Sequence, residues 1–222
     1  MSTPEMLQAT DRSKVKRLPQ RGHHERDVIH QILDEALVIH VGFVANNQPF
    51  VIPMAYGRDG DSLYIHGSTA SRMLKNLEQG VDICVTATLL DGIVIARSLF
   101  HHSMNYRSVV LFGRATLVES DEEKLHALQV LSEQIVPGRC EQARQPTPKE
   151  VKATKVLLFP IEEGSAKIRS GDPKDDADDY TLPIWAGQLP LKLTPGTPIP
   201  DGKLRPDIAV PENLLNYHRG AY

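Results

Sequence analysis

Leu63-Tyr64-Ile65-His66-Gly67-Ser68-Thr69-Ala70-Ser71-Arg72-Met73-Leu74-Lys75-Asn76-Leu77 changes character twice. An apolar strand runs to Gly67 and stops, small hydroxyl residues follow, and a helix begins with an arginine in its first turn. A helix N-terminus presents free backbone N–H groups and a partial positive charge. Serine and threonine hydroxyls add neutral donors, and arginine adds a planar fork that matches phosphate. Ser68, Thr69, Ser71 and Arg72 bring all three kinds within one turn. The stretch therefore reads as a phosphate seat. The same residues also allow a plain N-cap at Ser68 or Thr69 with an exposed arginine.

Upstream, Val28, Ile29, Ile32, Leu33 and Leu37 recur at helical spacing and predict a helix over Glu25 to Leu37. Val38 to Ala45 is apolar and β-branched, Asn46-Asn47 supplies a turn, and Pro49 to Tyr56 is a second strand. Gly57 to Asp61 reads as a turn and Ser62 to His66 as a third strand. Successive hairpins argue for an antiparallel meander or barrel rather than a βαβ sheet. Downstream, the pattern predicts a helix over Thr69 to Gln79 stopped by Gly80, and a strand over Val81 to Leu90. It then predicts a turn at Asp91-Gly92, strands over Ile93 to Ala96 and Tyr106 to Glu119, and a helix capped by Asp121 and ending near Ile135. Val151 to Ile161 and Ala166 to Arg169 complete the strands.

The fold class is mainly β with peripheral helices. Residues 1–24 are polar and basic and are expected as a flexible arm, 25–169 form one barrel domain, and 170–222 are a Pro-rich extension packing on the barrel or on a partner. Asp172, Asp175, Asp176, Asp178 and Asp179 read as a solvated acidic loop.

The 222 residues allow a sizeable core. A net charge of -3 gives no field that favours nucleic acid or an anionic membrane, and no apolar run has spanning length. The N-terminus lacks the pattern of a secretory signal, and Cys84 and Cys140 read as reduced thiols, so a cytoplasmic location is expected. The histidines show no spacing typical of metal ligands.

Leu63 to His66, Ser71-Arg72 and Val81 to Val85 together resemble the pyridoxamine phosphate oxidase superfamily of flavin-binding split barrels. Asn105 to Ala115 resembles a further strand of that superfamily, with Ser108 in place of its glutamine. Ile52 to Tyr56, Lys167-Ile168-Arg169 and Trp185-Ala186-Gly187 bring the chain nearest to the flavin-nucleotide-binding, nitroimidazole-reductase-like branch. Met73 stands where the vitamin B6 oxidases carry lysine, and Pro53 and Met54 are neutral where they carry basic residues. The cofactor seat therefore carries over and the B6 substrate site does not.

The resemblance implies FMN, bound at a homodimer interface. Its phosphate lies on Ser71 and Arg72, helped by His66 and Ser68, with Gly67 among the cofactor contacts, and its ring edge lies near Val51, Ile52, Pro53 and Met54. Tyr64, Arg107, Ser108 and Trp185 complete the expected contacts, although Arg107 suits a cross-sheet ion pair equally well and Trp185 a tail anchor. His101 and His102 are the candidate proton donors. The implied activity passes electrons from NAD(P)H to a small acceptor such as a nitroaromatic or a quinone. The alternatives are a non-catalytic flavin or haem carrier and a deazaflavin-dependent enzyme.

Overall fold

The computed structural model describes residues 4–219. In chain order its strands are β1 (Gly22–His23), β2 (Ile39–Ala45), β3 (Gln48–Met54), β4 (Gly57–Asp59), β5 (Ser62–Ser68), β6 (Ile83–Ile95), β7 (Ser103–Gly113), β8 (Thr116–Leu117), β9 (Thr154–Pro160), β10 (Glu163–Arg169) and β11 (Gly187–Pro190). The helices are α1 (Arg26–Glu35), α2 (Arg72–Leu77), α3 (Asp121–Ile135), α4 (Pro148–Ala153) and α5 (Glu212–Leu215). The architecture is mainly antiparallel β with peripheral helices. The chain divides into two compact units. One holds the chain up to His40, Cys84–Phe112 and Glu162–Leu193; the other holds Val41–Ile83, Gly113–Ile161 and the chain from Thr194.

In the first unit, β10 pairs antiparallel with β1 on one side and β7 on the other, and β11 pairs with β6. Helix α1 buries Ile29, Ile32 and Leu33, the one-sided stripe that the helical spacing requires. Each such side chain contributes about 1.5–3 kcal/mol by leaving water.

In the second unit the strand order is β4-β5-β9-β8. Tyr64, Val118, Ala127, Leu131 and Val156 form a buried cluster that joins α3 to β5 and β9. β2 and β3 are hydrogen-bonded neighbours, and Asn46 and Asn47 between them have φ of 50° and 60°. Asparagine tolerates this left-handed region, and two such residues match the hairpin twist.

Several local expectations are corrected. Asp91-Gly92 is no turn but lies within the continuous strand β6. Gly92 is there for close approach: a Cβ would lie 3.1 Å from the Leu189 carbonyl oxygen of β11. Gly57–Asp59 is strand β4, and the turn falls at Gly60, with φ of 53°. β5 continues through Gly67 to Ser68, because Lys155 and Thr154 of β9 still pair with it there. The strand expected over Tyr106 to Glu119 is split into β7 and β8, and the start of Val151–Ile161 is helical. Ser120, not Asp121, caps α3, its hydroxyl accepting from Glu123 N at 3.0 Å.

Residues 4–24 lie hydrogen-bonded along the first unit. Leu7 is buried, its N–H donates to His24 O, and Arg12 pairs with Glu163. In the extension, Leu191 N donates to Asp91 O beyond β11. Further on, Tyr217 Oη donates to Ile135 O at 2.8 Å within the second unit.

The acidic loop is not solvated throughout. The Asp175 side chain is fully covered and pairs with Arg97 at 3.1 Å, and its oxygens accept the N–H groups of Arg97 and Ser98. Burial pushes its carboxyl up, but these donors and the guanidinium outweigh burial and hold it below the usual carboxylate range.

Candidate functional site

The strand-to-helix junction of the second unit is built as a donor cluster. Ser71, not Ser68 or Thr69, is the N-cap of α2, its Oγ accepting from Leu74 N at 3.4 Å, so the helix expected over Thr69 to Gln79 is confined to Arg72–Leu77. Ser68 Oγ accepts from Ala70 N at 3.1 Å, so the loop's own hydroxyls fix its shape. The N–H groups of Arg72 and Met73 have no acceptor among the described residues. The exposed Arg72 guanidinium likewise has no partner among them. Each of the two serine hydroxyls keeps its own hydrogen for another acceptor. Gly67 lets α2 close over β5, since a Cβ there would meet Leu74 Cδ1 at 3.0 Å. Met73 is buried in the core, consistent with its failure to replace the missing lysine.

His66 lies within β5, opposite Val156. Burial lowers its pKa below 6.5 and so favours the neutral ring. Its Nδ1 is buried and has no hydrogen-bond partner among the described residues. A buried polar atom without a partner is costly, and a bound group that met it would remove the cost.

Tyr64, in the same strand, is instead packed into the core against α3, edge-on to the His126 ring at 6.1 Å. Its hydroxyl pKa is raised by burial first, then by Glu123 and Asp59.

β3 has β2 as its one neighbouring strand among the described residues. It contains no buried residue: Val51 and Pro53 are exposed, Ile52 and Met54 half-buried. One edge of the strand therefore keeps backbone donors unpaired.

The remaining sequence candidates belong to the first unit. Arg107 is held by two carboxylates, Glu35 and Asp91, and Nε lies 3.0 Å from Asp91 Oδ2. Hydrogen bonds to Glu35 and then Asp91 raise its pKa further, so the charge is fixed in a cross-sheet pair. Ser108 Oγ donates to Lys167 O at 3.2 Å. Trp185 is exposed, and its ring lies over Gly187.

The histidines divide by hydrogen bonding. The Ala96 N–H donates to His102 Nδ1 at 2.9 Å, so in the neutral ring Nε2 carries the hydrogen and faces outward as a donor. His101 Nε2 lies 3.4 Å from Asp176 Oδ2. His24 Nδ1 lies 2.8 Å from Gly164 O, a carbonyl that only accepts, so the hydrogen sits on Nδ1 and Nε2 keeps its lone pair. That is the arrangement a metal-ligating histidine adopts. Sequence patterning gave no sign of it, because the fixing group is a backbone carbonyl of a distant strand. Among the described residues, no group of three or more His, Cys, Asp or Glu is placed to hold a metal ion, and no helix is long and apolar enough to cross a membrane.

A family model described as pyridoxamine 5'-phosphate oxidase matches residues 25–168. The structure is similar to that of the flavocytochrome Anf3 from Azotobacter vinelandii, with a TM-score of 0.90 and 41% identity over 95% of this chain and 98% of that one. It is also similar to a FAD and haem binding protein from Mycobacterium smegmatis, with a TM-score of 0.84 and 34% identity over 88% of this chain and 96% of that one. A candidate 5-nitroimidazole antibiotic resistance protein from Bacteroides thetaiotaomicron shares the fold, at a TM-score of 0.57 and 24% identity over 66% of this chain and 86% of that one. No curated protein matches the chain.

Proposed function

The chain belongs to the pyridoxamine 5'-phosphate oxidase family, and from that premise we propose that it is a redox protein that binds a flavin nucleotide and haem. The observation that carries the proposal is the open donor set at the head of α2. The N–H groups of Arg72 and Met73 and the Arg72 guanidinium are all without a protein acceptor among the described residues. These donors, with the Ser68 and Ser71 hydroxyls, fit a phosphate in number and kind. The unpaired edge of β3 supplies further donors for a polar ring edge. Once bound, a flavin supplies one- and two-electron transfer. The chain's own part is to hold its phosphate, to orient the ring and to exclude water.

FMN is the form expected from the sequence. The Mycobacterium smegmatis relative binds FAD, so FAD is the form we favour; its diphosphate offers the same oxygens to the same donors. Haem is the alternative that the sequence reading carries, and two relatives above 30% identity support it. Iron needs a neutral imidazole nitrogen with a free lone pair. His24 meets this requirement through its Nδ1 bond, and His66 through burial. His102 does not, since its outward Nε2 carries hydrogen; it fits the expected role of proton donor instead.

Reduced nicotinamide as electron donor and a small acceptor such as a nitroaromatic or quinone remain part of the proposal. So do a homodimer and a cytoplasmic location. Leu99 and Phe100, both 88% exposed, support a partner copy, and two unpaired thiols suit a reducing compartment. The test is the absorbance spectrum of the purified protein. Flavin bands with a Soret band are expected, and the Soret band should be lost in whichever of His24→Ala and His66→Ala removes the iron ligand. A colourless protein that gains no absorbance on adding flavin or haemin would refute the proposal.

A further inference from the structure

We propose that the cavity lined by Asn105, Arg107, Arg169 and Gln188 in the first unit binds a carboxylate, with the Arg169 guanidinium as its seat. Three residues that the flavin reading leaves unused meet here: Asn105 from β7, Arg169 from the end of β10, and Gln188 from β11. The cavity is about 400 Å³, within the range of small-ligand sites.

Arg169 is 7% exposed, and no carboxylate among the described residues pairs with it. Its acceptors are neutral oxygens. Nη1 donates to Asn105 Oδ1 and Gly171 O, and Nη2 donates to Asp172 O. A guanidinium has five N–H donors, so the Nε hydrogen and the second Nη2 hydrogen stay without a protein acceptor. Nε and Nη2 form one edge of the fork, an edge that a carboxylate matches with two parallel bonds, and its Nε hydrogen is open. A buried charge without a counter-ion is costly, and burial, with Arg21 adding repulsion, lowers the Arg169 pKa.

The surroundings hold that edge in place. Asn105 Nδ2 donates to Gln188 Oε1, which turns the Asn105 carbonyl toward Arg169. Gln188 Nε2 in turn donates to Asp172 Oδ1 at 2.8 Å. The charge pattern selects the ligand. Asp91 on the wall is matched by Arg107, and the Asp172 carboxylate beside the cavity opposes a dianionic phosphate more than a single carboxylate. Ile168 and Pro190 give the wall apolar surface for the body of an organic acid.

Such a carboxylate has two sources, a free organic acid or a propionate of haem. The free-acid arm does not depend on flavin or haem binding, whereas the propionate arm rests on the haem proposal. Benzoate is titrated by calorimetry into the purified full chain and its Arg169→Gln variant. Haemin and haemin dimethyl ester, which lacks both carboxylates, are titrated into protein prepared without haem. Benzoate affinity reduced about tenfold or more by Arg169→Gln supports a free acid. Haemin binding that exceeds ester binding by a similar factor, with the difference erased in Arg169→Gln, supports a propionate. Asp172→Asn guards against a folding artefact, because it keeps an oxygen for Gln188 Nε2 while removing a negative charge beside the seat, and it should tighten the winning ligand several-fold. If neither ligand responds to Arg169→Gln, if Asp172→Asn fails to tighten binding, or if inorganic phosphate outcompetes benzoate, the proposal is overturned.

Discussion

Replacing Arg72 by alanine separates a ligand contact from a structural one. The Arg72 side chain is exposed and has no hydrogen-bond partner among the described residues. Its loss should therefore change folding stability by no more than about 0.5 kcal/mol. A charge-assisted bond to phosphate is worth about 1.5–3 kcal/mol, and exposure with salt screening places this one near the lower end. About 1.5 kcal/mol corresponds to a roughly tenfold rise in flavin Kd. Ser71→Ala provides the contrast. Its Oγ accepts from Leu74 N, so the change removes a helix cap worth about 0.5–1 kcal/mol and lowers stability and affinity together. Flavin fluorescence titration of stripped protein gives Kd, and urea unfolding gives stability. The Arg72→Ala defect should also shrink at high salt. An unchanged Kd would remove Arg72 from the seat, and an affinity loss matched by an equal stability loss would show that the residue acts through the fold.

Two further outcomes follow from packing and charge. Gly57→Ala places a Cβ 2.7 Å from Leu131 N and 2.8 Å from Val130 C, both backbone atoms of α3. It should destabilise the protein by about 1–3 kcal/mol, read as a lower urea midpoint. Asp175 has a carboxyl pKa lowered in the fold, so the stability it adds is present above the unfolded carboxylate value and lost as pH falls through the folded value. Wild type should exceed Asp175→Asn in urea midpoint at neutral pH, and the two should converge below about pH 4. A constant gap across that range would show that Arg97 and the two N–H groups do not favour the charged form.

Where local chemistry decides the structure, the sequence was readable. Asn46-Asn47 marks a hairpin because few residues tolerate a left-handed pair. The helix after β5 was readable as an element but not at its start: Ser68, Thr69 and Ser71 are all cap-forming residues, and the structure uses Ser71, so the helix begins at Arg72 rather than Thr69. Where a distant strand decides, the sequence misled. Asp91-Gly92 has the composition of a turn, yet Gly92 lies in a strand and is small because the backbone of its neighbour β11 comes close to it. Asp175 looks like its acidic neighbours until Arg97, 78 positions earlier, is brought against it. Tyr64 stands in the strand of the phosphate seat, but α3 claims its ring. Arg169 appears in sequence as part of a Lys-x-Arg fragment, and its burial without a carboxylate partner emerges only when β7, β10 and β11 come together.

The central claim is that the donors at the head of α2 hold the phosphate of a flavin. The most direct test is the identity, by mass, of what the purified protein releases on denaturation. A flavin nucleotide, FAD before FMN, released from wild type and reduced in amount from Arg72→Ala, is the predicted result. Release of no flavin, or equal flavin from both proteins, would contradict it.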